Sequence, residues 1–347
     1  MKEESHVNLA QVARRAGVSI ASASRALRGR PGVSHTTRAR VTLAAEELSY
    51  VVSPEASRLA GGASTRVAVV VPHLSRWFFG ALLEGLESVL RDAEVDVLLY
   101  HVGDAEDRRD FFGLLPARRK VDALVLLGLP VDDEERRRLE LMGVQITAVG
   151  GQVASYPYVR IDDYAAGRQA VDHLLFLGHQ RIAMIAGTDP DQPGWPVAVG
   201  RSEAYHEALR EAGLPAHDEL VVTVDWGGAM GAQAMGRLLS LREPPTAVYA
   251  HSDELAAGAL RTLRRAGLDV PGDISVVGID DHPVCELMDL TTVRQPVREQ
   301  GVAAGETLLR RLRGEPSDDA VTLPTQLVVR GSTGRPRRFA ASAGALT

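Results

Sequence analysis

Within the stretch GVSIASASRALRGRPGVS, residues 17–34, the run Ile20–Leu27 carries one arginine, Arg25, among side chains short enough for a backbone to approach another surface closely. A guanidinium fork bonds O6 and N7 of guanine together in the DNA major groove. A helix about 10 Å across fits that groove. Ser19, Ala21 and Ser22 are small neighbours of the fork. A second set of residues follows apolar runs: Ser75 to Phe79, Asp225-Trp226, Ser252-Asp253 and Asp280-Asp281. Aromatic faces, carboxylates and an arginine such as Arg201 suit a polyol, since rings cover C–H surfaces and charged forks hold paired hydroxyls. Each reading has a plainer rival. Arg25 could be a surface charge on a helical hairpin, Arg201 a helix-end charge, and Phe78 packing at a helix start. Packing is preferred for Phe79.

Catalysis finds no support. The loop GTDPDQPG is neither GxGxxG nor a Walker sequence, and GSTG near the end lacks a nucleophile-elbow setting. Neighbouring carboxylates on an extended segment, Asp162-Asp163 or Asp280-Asp281, point apart and do not converge on one ion. His173 and His179 have no matching ligand set. The single cysteine, Cys285, excludes an internal disulfide framework. No enzyme activity, metal or cofactor is expected.

These residues need elements to hold them. Ser19 can cap a helix over Ile20–Leu27, which Gly29-Arg30-Pro31-Gly32 must stop. Ahead of it, Leu9, Val12, Ala13 and Ala16 recur at helical spacing, with Asn8 and Gln11 as a capping box. Gly17 permits the tight turn, and Ala13 is small where the two helices cross. Ser34 opens a third helix with Val41, Ala44, Ala45 and Leu48 on one stripe. Residues 51–65 lose this periodicity and read as a linker. From Arg66, buried-strand runs (67–71, 95–100, 123–127, 144–150, 181–187, 220–224, 246–250 and 274–279) alternate with helical patterns such as 78–91, 164–177, 201–213, 229–241 and 253–267. That alternation predicts parallel sheets, and the length predicts two doubly wound subdomains.

Charge separates the two parts. The 347 residues carry a net −6, yet residues 1–65 hold nine Lys and Arg against five acids. A basic head on an acidic body points to a polyanion for the head alone. No apolar run approaches the roughly 20 residues of a membrane span. MKEESHVNLA lacks the apolar core of a secretory leader, so a cytoplasmic protein without membrane contact is expected.

VARRAGVSIASASRALRGRPGVS, the tyrosine of ELSY and SPEASRLAGG together resemble the lactose-repressor (LacI/GalR) family of bacterial transcription regulators. HLLFLGHQRIAMIAG (173–187), RSEAYHEALREAG (201–213), HSDELAAGAL (251–260), DISVVGIDD (273–281), LTTVRQP (290–296) and LVVRGST (327–333) extend the resemblance over nearly the whole chain. It implies an N-terminal all-α helix-turn-helix domain (1–52), a hinge helix and linker (53–65), a periplasmic-binding-protein-like α/β core (66–334) and a tail (335–347). The N-subdomain would take about 66–162 and 296–320, the C-subdomain about 163–293 and 321–334.

The resemblance further implies that Ser19, Ile20, Ala21, Ser22 and Arg25 face the groove, with Ile20 and Ala21 discriminating operators. SPEASRL, with Ala56, matches a hinge helix in which Leu59 wedges into a base step of the minor groove, at a cost offset by kinked-duplex contacts. Two departures stand out. Val52 replaces the usual hinge proline, with Pro54 displaced to the hinge start, and Arg28 replaces a frequent asparagine, adding a phosphate contact. Effector-pocket roles fall to Ser75, Phe78, Asp163, Arg201, Trp226, Ser252, Asp253 and Asp280. The expectation is therefore a homodimeric, effector-responsive repressor of carbohydrate genes, binding palindromic operator DNA and a saccharide. A solute-binding protein or an enzyme on the same two-lobed fold is the alternative; the basic head and absent leader oppose the former.

Overall fold

The computed structural model describes residues 8–27, 31–48, 50, 65–151, 155–189 and 196–337. Contacts divide the chain into two units, residues 1–65 and 66–347. The first unit holds α1 (Leu9–Ala16), α2 (Ile20–Leu27) and α3 (His35–Glu47). Asn8 and Gln11 form the capping box: the Gln11 amide donates to Asn8 Oδ1 at 3.1 Å, and the Asn8 amide to Gln11 Oε1 at 2.8 Å. Gly17 ends α1 in the left-handed region, φ 65°, where only glycine is unstrained. The core of this unit is almost all alanine and valine, Val12, Ala13, Ala16, Ala23, Ala26, Val41, Ala44 and Ala45. Small side chains bring the helices close and leave the α2 face outward.

In the second unit the first sheet contains β1 (Arg66–Val71), β2 (Asp96–His101), β3 (Ala123–Leu127), β4 (Gln145–Val149), β5 (Tyr158–Ile161) and β11 (Ala320–Leu323), in the order β11-β5-β4-β3-β1-β2. All five pairings are parallel. Val67, Val69 and Val71 turn to one face, beneath α4 (Trp77–Asp92) and α12 (Val297–Leu312). Ala68 and Val70 turn to the other, under α5 (Ala105–Leu114) and α6 (Asp133–Glu140). Burial on both faces is why β1 and β3 read as unbroken apolar runs.

The second sheet contains β6 (Ile182–Thr188), β7 (Val221–Asp225), β8 (Ala247–Ala250), β9 (Ser275–Asp280), β10 (Thr291–Arg294) and β12 (Gln326–Val328), ordered β12-β10-β9-β8-β6-β7. One face lies under α7 (Asp163–Phe176) and α8 (Pro196–Glu211). The other lies under α9 (Gly228–Leu239) and α10 (Asp253–Arg265), with the short α11 (Val284–Met288) beside it. β12 runs antiparallel to β10, so this sheet is not purely parallel.

The chain passes between the lobes three times: between β5 and α7, between β10 and α12, and between β11 and β12. The third passage corrects the sequence-based boundary after residue 320. Val321, Thr322 and Leu323 pair with Val159, Arg160 and Ile161 and extend the first sheet. The boundary was hidden because β11 reads AVTL, shorter than the ALVLL of β3, and only alternate residues of it are even partly covered.

Two helix pairs cross unusually close. A Cβ on Gly258 of α10 would stand 2.0 Å from the Gly228 carbonyl, and one on Gly231 of α9 would stand 2.1 Å from the Leu255 carbonyl. In the first lobe Gly85 and Gly301 play the same part between α4 and α12.

Candidate DNA interface and ligand cleft

On α2, Ser19, Ile20, Ala21 and Arg25 are exposed and Ser22 is half-buried, while Ala23 and Ala26 face the core. Ser19 caps the helix: its Oγ accepts from the Ser22 amide at 3.1 Å and donates to Ser22 Oγ at 2.9 Å. Ile20 is 54% exposed at the first turn. An exposed apolar side chain and an exposed guanidinium on one helix suit contact with a thymine methyl and a guanine edge. Arg28, Ala56, Leu59, Val52, Pro54 and the tail beyond Arg337 lie outside the described residues.

A cleft lies where the carboxyl ends of the two sheets meet, the usual ligand position in open α/β folds. Arg76, Phe78, Gly150, Ile161, Asp163, Arg201, Trp226, Ser252, Asp280, Gln295 and Gln300 line it. Six of the eight residues assigned from sequence are among them. Two are not. Ser75 is exposed on the approach to α4, outside the lining. Asp253 is fully buried with both carboxylate oxygens engaged: Thr292 Oγ1 donates at 2.6 Å, the His282 amide at 2.8 Å and Cys285 Sγ at 2.9 Å. It fastens α10 to β10 and the turn after β9, so its position is corrected from pocket to framework.

Each aromatic of the cleft rests on a glycine. Gly187, at the end of β6, has its backbone so near the Trp226 indole that a Cβ would fall 2.4 Å from Cε3. Gly150, after β4, adopts φ +77°, and a Cβ there would be 3.0 Å from Phe78 Cζ. The rings can therefore lie down against strand ends. Phe79 turns away into the core, 1% exposed.

Arg201, 4% exposed, is the cleft's buried cation. Its Nε donates to Asp163 Oδ1 at 2.9 Å, Nη2 is 2.9 Å from the same oxygen, and Nη1 donates to the His251 carbonyl. Burial raises the Asp163 carboxyl against the pull of Arg201. Burial likewise pushes Asp280 up to about 7, again opposed by Arg201. Asp280 also sits at φ +132°, followed by Asp281 at +56°, a conformation that side chains other than glycine rarely adopt. The turn is fixed from outside the cleft: Arg294 Nε and Arg330 Nη2 donate to the Asp281 carboxylate at 2.6 and 2.7 Å. His251, behind Arg201, is pushed down to about 3 by burial and by that positive charge, so its ring is neutral.

Sequence reading missed Arg76, Gly150, Ile161, Gln295 and Gln300. Arg76 lay within the stretch 75–79 without being singled out. It joins the lobes: Nε is 3.2 Å from Glu254 Oε2, and the guanidinium lies 5.1 Å from the Trp226 ring centroid. His73 with Asp189 at 3.1 Å, and Trp77 with His282 at 4.9 Å between ring centroids, add further links between the lobes. Gln300 left a usable signal, since it interrupts the apolar spacing Val297, Gly301, Ala304, Leu308 on the core face of α12. No cluster of three or more metal-binding side chains occurs among the described residues. No helix among them is long and apolar enough to cross a membrane.

Residues 8–53 match the family of bacterial regulatory proteins of the lacI type, and residues 171–333 match a periplasmic binding protein-like domain. The transcriptional repressor CytR of Escherichia coli (strain K12) is 34% identical over 339 residues, covering 96% of this chain and 98% of the repressor. The chain belongs to the LacI family. Solved LacI-family structures share its fold. The complex of the transcriptional regulator CelR with cellobiose is 32% identical, with TM-score 0.69, over 94% of this chain and 99% of that one. The lac repressor dimer bound to operator and the anti-inducer ONPF is 28% identical, with TM-score 0.83, over 94% and 99%. As a LacI-family member the chain is a DNA-binding transcriptional regulator and not an enzyme.

Proposed function

We propose that this regulator is a cytoplasmic homodimeric repressor of carbohydrate genes whose hold on a palindromic operator changes when a neutral polyol, of the saccharide class, fills the cleft. The observation that carries the ligand class is the charge balance of the lining. Arg201 is matched by Asp163, Arg76 by Glu254, and Asp280 adds a further acid. A phosphorylated sugar would face acids and already-paired arginines, whereas hydroxyls can accept from one and donate to the other. Trp226 and Phe78 supply flat apolar surface for the sugar ring. The relative solved with cellobiose supports the same class. The relative solved as a dimer on operator supports the dimer, and the two-fold symmetry of a dimer is matched by a palindromic site.

The test is a thermal-shift and tryptophan-fluorescence screen of the full chain with cellobiose, maltose, D-ribose, D-glucose and glucose 6-phosphate. A ligand at a hundredfold excess over its Kd adds about 2.7 kcal/mol of stability, a readily measured shift. A neutral sugar should raise the melting temperature and alter Trp226 emission, with the emission change gone in Trp226→Phe. Stabilisation by the phosphate ester alone would refute the ligand class.

The DNA side is tested separately. Arg25→Ala is expected to cost ~1–3 kcal/mol on the operator and little on random DNA. Equal losses on both would reduce Arg25 to a backbone contact.

A further inference from the structure

Gln300 is wholly buried on the core face of α12, among Val297, Gly301, Ala304, Thr307 and Leu308. Leucine or methionine would fill that volume without a polar atom. Its amide instead ends a relay that starts in the other lobe. Asp280, at the end of β9, accepts from Gln295 Nε2 at 2.6 Å. Gln295 Oε1 then accepts from Gln300 Nε2 at 3.0 Å. Gln300 Oε1 is buried with no hydrogen-bond partner among the described residues, although the residue lines the cleft.

The direction of the relay fixes which atom is left over. Ionised, Asp280 can only accept, so Gln295 then presents its NH2 to Asp280 and its oxygen to Gln300. Gln300 must then present its NH2 to Gln295. The unpaired end is a carbonyl oxygen, not an amide nitrogen. A buried acceptor without a partner is costly, and the cleft is where a partner can arrive.

Resting on the reading that the cleft is the effector site, we propose that Gln300 is a specificity-determining residue: its side-chain carbonyl accepts a hydrogen bond from one hydroxyl of the effector, through a relay that ties α12 of the first lobe to Asp280 of the second. The effector's hydroxyl completes the chain hydroxyl–Gln300–Gln295–Asp280. A ligand lacking that hydroxyl can still stack on Trp226 and meet Arg201, but it leaves the carbonyl orphaned. Selection therefore works by rejecting deoxy analogues, the stronger form of discrimination for a polar site.

Calorimetry on the full chain tests this with cellobiose, maltose, D-ribose and D-glucose, followed by the monodeoxy derivatives of whichever sugar binds. The parent should lose about 10- to 100-fold in affinity for one monodeoxy derivative. Gln300→Met, of similar volume and without an acceptor, should bind the full sugar 10- to 100-fold more weakly and no longer distinguish it from that derivative. Arg201→Ala serves as the marker of the site. If Arg201→Ala loses binding while Gln300→Met binds within twofold of the parent, the cleft stands and the role of Gln300 falls. If no sugar binds the parent, or Arg201→Ala binds unchanged, the cleft reading falls and Gln300 with it. Should Gln300→Met fail to fold, the deoxy series on the parent decides: equal affinity for every derivative overturns the proposal.

Discussion

Arg201→Ala is expected to destabilise the α/β core by about 3–5 kcal/mol, the usual cost of removing one partner from a buried ion pair. For a unit of this size that is a fall on the order of 10 °C in melting temperature. The variant should still bind operator below that temperature but no longer respond to a sugar. The loss should depend on pH with a definite sign. Without Arg201, Asp163 and Asp280 keep only the weaker pull of Arg160 and Arg76 respectively, and burial drives both carboxyls further above the unfolded value. A group held higher in the folded state costs nothing below its unfolded pKa and progressively more as pH rises through the folded one. At pH 5 Asp280 is already protonated, because burial holds it near 7 in the parent. The gap between parent and variant should therefore be wider at pH 8 than at pH 5, measured by thermal unfolding at both. An equal gap would mean that Arg201 acts by packing and not by charge.

Gly258→Val should be nearly as damaging, and for a reason without electrostatics. Its Cβ would stand 2.0 Å from the Gly228 carbonyl and 2.6 Å from the Ala232 nitrogen, so α9 and α10 must separate. Overpacking of this kind costs about 1–3 kcal/mol and occasionally more; with main chain on both sides, the upper end is expected. Gly236 on α9 is the matched control. A Cβ there meets nothing within 4 Å, so Gly236→Ala should be neutral or stabilise by up to ~1 kcal/mol through helix propensity. Denaturant unfolding of the pair gives the answer, and similar midpoints for both would dissolve the close-crossing argument.

Much of this was legible in the sequence, and the boundary between legible and hidden is physical. β1, β3, β6 and β9 are covered on both faces, so each announces itself as a continuous apolar run. β5, β10, β11 and β12 are three or four residues long and lie at or near sheet edges, where periodicity has no length to register. The Asn8–Gln11 capping box was readable because all its parts lie within four residues. Trp226 and Asp280 were found because strand ends are short in sequence and rich in consequence. Asp253 went wrong for an instructive reason: a carboxylate after a strand looks the same whether it faces a ligand or Thr292 and Cys285, which arrive from far along the chain. Gln295 was missed because the strand it follows, β10, is only four residues long, and Gln300 because it lies inside a helix and not at a strand end.

The triple passage of the chain between lobes also bears on how the protein is made. The first lobe is not a continuous stretch: α12 and β11, which complete it, are synthesised only after most of the second lobe. At ordinary translation rates of 5–20 residues per second, the faces of β1 and α4 wait on the order of ten seconds for Ala304 and Leu308 to cover them. The three-helix head, by contrast, has its whole alanine core within the first fifty residues. A growing chain on the ribosome should thus carry a finished DNA-reading head well before the ligand-sensing lobes exist to govern it.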